Sequence, residues 1–184
     1  MNTVYSYVPP KNLKTISGYI ILLISLAAGF FAFPAFFGEM PMRWLFQLSG
    51  LCCLGVVVFI ATRYILKNTV YSIVEENGKL DFTVTEITNN GKSRIMVCRF
   101  AIESIEELGL FYLGSESDEA KKKEFIKKAK KKKMPHFNYC PDMRSNPVCC
   151  VVASENDARF LVKLSPDDTL YSYLAGRLDK SGEE

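Results

Sequence analysis

Residues 16–37 (ISGYIILLISLAAGFFAFPAFF) run for 22 positions without a charged side chain. At about 1.5 Å of rise per residue, a helix of that length matches the ~30 Å hydrocarbon core of a bilayer. It is apolar on every side, so it must be covered by lipid or by the core of a larger protein. A second stretch, residues 44–62 (WLFQLSGLCCLGVVVFIAT), has Gln47 as its only strongly polar side chain, and Tyr64, Ile65 and Leu66 extend it past Arg63. Two membrane-spanning helices are therefore expected, over 16–37 and 44–66. A cleaved signal peptide is the alternative for the first, since Lys11 and Lys14 precede it. Its apolar run is longer than the roughly 7 to 15 residues such signals use.

Only six residues, 38–43 (GEMPMR), separate the two stretches, so the helices are expected to form an antiparallel hairpin over 16–66. Ser25 with Gly29, or Ala28 with Ala32, has the four-residue spacing that lets two helices approach closely. Lys11, Lys14, Arg63 and Lys67 flank the outer ends, whereas the loop sets Arg43 against Glu39. By the positive-inside rule both termini face the cytoplasm of a multi-pass plasma-membrane protein, with residues 1–15 as a cytoplasmic tail. A reducing compartment makes free thiols the default for the six cysteines, at 52, 53, 98, 140, 149 and 150.

From residue 67 to 184 the pattern changes to alternation. Residues 69–75 (TVYSIVE) read as a strand, Asn77-Gly78 as a two-residue turn, and Leu80, Phe82 and Val84 alternate with polar neighbours. Asn90-Gly91 turns the chain into a third strand over 94–100, and a fourth is expected at 110–113. Beyond a lysine-rich insertion, 115–134, strands are expected near 137–140, at 148–153 and at 159–164. The closing Ser165-Pro166-Asp167-Asp168 reads as an N-cap serine followed by proline at the first helical position. That helix is expected to reach Leu178, with Leu170, Tyr171, Leu174 and Leu178 on one apolar stripe. The fold class expected is α+β, a transmembrane hairpin followed by a seven-strand antiparallel barrel or sandwich with a C-terminal capping helix.

Seven short strands and one closing helix resemble pleckstrin-homology-like (PH-like) domains. The residues carrying the likeness are Tyr71-Ser72-Ile73, Gly78, the run 99–105 (RFAIESI) and Pro166-Asp167-Asp168. An apolar hairpin leading directly into such a domain is similar to a group of bacterial two-span membrane proteins with a cytoplasmic PH-like domain. The resemblance implies the fold; it assigns no binding residue here.

The lysine-rich segment carries Lys121, Lys122, Lys123, Lys127, Lys128, Lys130, Lys131, Lys132 and Lys133, preceded by acids, the order a helix dipole favours. As a helix it gathers Phe125, Ile126 and Ala129 on a narrow apolar stripe among lysines, the pattern of a helix lying on an anionic membrane surface. These nine lysines are the candidate lipid-binding residues. A plain solvated helix or mobile loop is the alternative, and nucleic acid would be attracted only nonspecifically.

His136, Cys140, Cys149 and Cys150 are the only zinc candidates, and adjacent cysteines on one strand point to opposite faces. No metal or other cofactor is expected. With one histidine and no nucleophile elbow, P-loop or dinucleotide fingerprint, catalysis is not expected. The functional expectation is a noncatalytic membrane-anchored module that binds a protein partner, a second copy or anionic lipid headgroups at the cytoplasmic face. The alternative is an accessory or regulatory subunit of a transporter or envelope-assembly complex, engaged through its hairpin.

Overall fold

The computed structural model describes residues 2–36, 43–88, 91–155 and 158–176. Two compact units emerge, Lys11–Lys67 and, joined together, Met1–Pro10 with Asn68–Glu184.

In the first unit α1 (Leu13–Phe36) and α2 (Arg43–Ile60) are the two apolar helices, and α2 ends in a π-helical turn, Ala61–Ile65. Both are long and apolar enough to cross a membrane, each with a mean hydropathy of 2.2. Large apolar side chains such as Ile21, Leu22, Leu51, Val58 and Phe59 are left exposed. The helices meet through aromatic rings: Phe33 stacks on Phe46 at 5.3 Å between centroids, and Phe30 lies 6.5 Å from the same ring. Gly50 lets Phe31 in, for a Cβ there would lie 2.8 Å from the ring. The small-residue pairs expected at this contact are elsewhere. Ser25, Ala28, Gly29 and Ala32 are exposed, and a Cβ on Gly29 would meet nothing within 4 Å. A phenyl ring rather than a second backbone fills the gap, so one glycine suffices. At the base of the hairpin Lys11 donates to the Lys67 carbonyl. The linker 38–42 lies outside the described residues.

The second unit has eight strands among its described residues, not seven. One sheet has the order β1-β2-β3-β4, with β1 Asn2–Tyr7, β2 Asn68–Glu76, β3 Lys79–Thr88 and β4 Ser93–Ala101, all antiparallel. The stretch expected to be a tail is thus, at Asn2–Tyr7, an edge strand: Tyr7 pairs with Tyr71 and Asn2 with Glu75. Tyr5 adds a hydroxyl donated to the Asp167 carboxylate. Asn77 (φ 54°) and Gly78 (φ 76°) form the expected turn, both in the left-handed region that a primed hairpin turn demands.

The other sheet has the order β5-β7-β8-β6, formed by β5 Ile105–Phe111, β6 His136–Asn138, β7 Val148–Glu155 and β8 Ala158–Leu164. It is mixed rather than antiparallel, because β6 runs parallel to β8. A parallel neighbour needs a long crossover, and the long segment after β5 places β6 beyond β8. A 3₁₀ turn, Ile102–Ser104, joins the two sheets.

One core lies between the sheets: Tyr71, Ile73, Phe82, Val84 and Phe100 from the first meet Cys149, Val151, Ala153, Val162 and Leu164 from the second. Helix α4 (Asp168–Ala175) closes it with Leu170 and Leu174. Its N-cap is Asp167, whose side chain accepts from the Leu170 N–H; Ser165, two residues earlier, is not the cap, and its hydroxyl donates to the Pro147 carbonyl. Leu178 lies outside the described residues. Buried Tyr71 stitches the sheets together, donating to the Tyr139 carbonyl (2.8 Å) and accepting from Ser165 N–H (3.3 Å). The Tyr139 hydroxyl in turn reaches the Val97 carbonyl on β4 at 3.1 Å.

Candidate functional site

Strand β7 is apolar almost throughout, and its side chains alternate between two cores. Cys149, Val151 and Ala153 enter the core between the sheets, whereas Val148, Cys150 and Val152 face the other way. A strand buried on both faces needs two covers. The second cover is the lysine-rich segment.

That segment folds as α3 (Glu116–Lys131). Ser115 caps it by accepting from the Asp118 N–H, and Glu116, Asp118 and Glu119 occupy the first turn, with Lys128, Lys130 and Lys131 in the last. Its apolar stripe faces the sheet. Ala129 is buried, and Phe125 and Ile126 pack with it against Phe111, Val148, Cys150, Val152 and Leu161. The Phe111 and Phe125 rings meet edge to face at 5.9 Å. Burying the stripe on the sheet removes more apolar area from water than leaving it exposed, and among the described residues α3 is the helix that covers this sheet face.

What remains outward is charge. Lys121, Lys123, Lys127, Lys128, Lys130, Lys131, Lys132 and Lys133 are exposed, and Lys122 is half-buried. Lys128 reaches Glu107 on β5 at 3.1 Å, an exposed pair that adds little stability. In residues 116–133 nine lysines against four acids leave five positive charges, more than the net +3 of the whole chain.

The zinc candidates are not brought together. Cys149 and Cys150 point into different cores and His136 is exposed. Burial pushes the Cys140 thiol up to about 11 and raises those of Cys149 and Cys150, which keeps them protonated near neutrality and poor as ligands. Desolvation, then the charges of Lys163 and Lys130, hold the His136 imidazole below its usual range. Among the described residues no three His, Cys, Asp or Glu side chains are grouped to hold a metal ion.

Sequence reasoning missed a cavity beside α3. It has a volume of about 190 Å³ and is lined by Lys122 of α3, Lys163 of β8 and Arg144 of the β6–β7 loop, with Asn138, Cys140 and Asp142. The signal was Lys163, a charge inside a strand whose neighbours Val162 and Leu164 are fully buried.

Comparison with known proteins adds no relative: no family model matches the chain, and no curated protein or solved structure is significantly similar to it.

Proposed function

We propose that this chain is a noncatalytic, membrane-anchored module whose hairpin crosses the plasma membrane and whose sheet domain, PH-like in build, works at the cytoplasmic face. The observation that carries the reading is the insertion of the hairpin between two paired strands. β1 precedes α1 and β2 follows α2, so both arms of the hairpin start from one sheet. An even number of crossings is what such a connection requires. The Lys11 to Lys67 contact at the hairpin base and the cations flanking both arms support the same orientation. Two four-stranded sheets closed by α4 support the PH-like build, with β1 and the parallel β6 as additions to it.

The exposed lysines of α3 supply adhesion to anionic lipid headgroups or to an acidic partner surface. Each lysine near an anionic bilayer contributes about 1 kcal/mol, and screening makes the sum salt-dependent. Because the apolar stripe is buried, adhesion is electrostatic without insertion. The test uses the full chain in nanodiscs of zwitterionic lipid, floated with added phosphatidylserine vesicles. Co-flotation at low salt should disappear at high salt and in a variant with Lys123, Lys127, Lys130 and Lys131 changed to Gln. No co-flotation, or salt-independent co-flotation, rejects the lipid reading.

The outward placement of Ser25, Ala28, Gly29 and Ala32 favours a second reading, in which the hairpin docks this chain as an accessory subunit of a transporter or envelope-assembly complex. Under it, Gly29→Leu abolishes copurification of partners in mild detergent while the lysine variant does not.

A further inference from the structure

Eight of the nine lysines in the basic run are exposed, and Lys122 is set apart by being half-buried. It lines the cavity with Lys163, which is also half-buried and comes from a different element, and with Arg144. Among the described residues none of these three cations makes an ion pair. Asp142 is the acid at the cavity, so three cationic residues line it against one acidic one.

The nearby thiols do not make up the difference. Cys140 and Cys150 feel the charges of both Lys122 and Lys163, yet burial keeps both thiols protonated. Like charges gathered at a partly enclosed site repel unless an anion joins them. The donors suit an oxyanion: two ammonium groups act as compact charges with several N–H bonds each, and one guanidinium offers a planar fork. A volume of about 190 Å³ is several times the ~30 Å³ a water molecule occupies, which leaves room for a tetrahedral anion with part of its hydration.

We propose that the cavity between α3, β8 and the β6–β7 loop is a binding site for a phosphate group, held by Lys122, Lys163 and Arg144. The phosphate is either that of a small soluble phosphomonoester or the terminal phosphate of a lipid such as phosphatidic acid. This site is separate from the outward lysine face, so the two readings can fail independently.

The experiment titrates inorganic phosphate and glycerol 3-phosphate, by calorimetry, into the full chain held in phosphatidylcholine nanodiscs. Saturable one-site binding is expected. Lys122→Gln with Lys163→Gln should weaken it about tenfold or more, as loss of charge-assisted hydrogen bonds does. Arg144→Gln, at an exposed loop position that leaves folding intact, should weaken it in the same direction. Lys127→Gln with Lys131→Gln removes the same charge from the outward face and should change affinity less than about twofold. Doping the nanodiscs with phosphatidic acid distinguishes the sources: competition with free phosphate assigns the site to lipid, and unchanged affinity assigns it to a soluble ligand. Absence of saturable binding, or equal losses from the cavity pair and the outward pair, overturns the proposal. Intact phosphate binding without vesicle adhesion instead removes the lipid-adhesion reading alone.

Discussion

Replacing Phe125 with Ala should detach α3 from the sheet without unfolding the rest of the domain. The ring is half-buried, and a fully covered phenylalanine hides about 150–250 Å², so roughly 100 Å² is at stake, worth ~2.5 kcal/mol. The edge-to-face contact with Phe111 adds ~0.5–1.5 kcal/mol, giving about 3 kcal/mol in all. Local opening of α3 should then rise about a hundredfold. Neighbouring cysteines report it directly. Cys150 lies in the cluster that α3 covers, whereas Cys149 faces the core between the sheets. Maleimide labelling of the folded full chain, localised to the single residue by fragment-ion mass spectrometry, should show Cys150 accelerated by about two orders of magnitude and Cys149 unchanged. Equal acceleration of both thiols would mean global unfolding. No acceleration of Cys150 would mean that the stripe does not cover the sheet, and the reasoning fails in either case.

Two further outcomes follow from burial elsewhere. An unfolded thiol loses its proton near pH ~8.5, while Cys140 keeps its own to about 11 because it is buried. The folded value is raised, so this stabilisation is complete below the unfolded value and drains as pH climbs toward 11. In that window urea denaturation should show wild type losing up to ~1.4 kcal/mol per pH unit relative to Cys140→Ser, with parallel curves below pH ~8; parallel curves throughout would refute the assignment. In the hairpin, Gly50→Val should cost about 1–3 kcal/mol by forcing a Cβ onto the Phe31 ring, and Phe31→Ala should restore most of it in the double variant. Thermal melts in detergent that show simple additivity would place the two residues apart.

The two apolar helices and the Asn77-Gly78 hairpin were legible because their signals are local: a continuous run and a dipeptide that takes positive φ at both positions. Strands β7 and β8 were legible for the same reason. Strand β1 was not, although Thr3, Val4, Tyr5 and Tyr7 are good strand formers. Its partner lies beyond the entire hairpin, and no local pattern names a partner that distant. The apolar stripe of α3 is legible in the sequence, whereas the surface that covers it, the outer face of the sheet, is not. Periodicity shows that a face must be covered; it does not say by what. The unbroken apolar character of 148–153 held the missing half, since a strand with no wet face needs a second cover. Lys163, Lys122 and Arg144 come from three elements far apart in sequence, so their convergence had no signature in spacing.

The placement of the hairpin between β1 and β2 also sets an order of events during synthesis. Strand β1 leaves the ribosome first, yet its pairing partner emerges only after both apolar helices, since Asn2 meets Glu75 and Tyr7 meets Tyr71. The sheet therefore cannot be completed until both apolar helices have been synthesised. A chain truncated before Lys11 would carry β2 with a bare edge of N–H and C=O groups, a template for pairing with other chains. Strand β1 thus acts as a clasp that fastens only after both helices have emerged, and deleting Asn2–Tyr7 would leave it open.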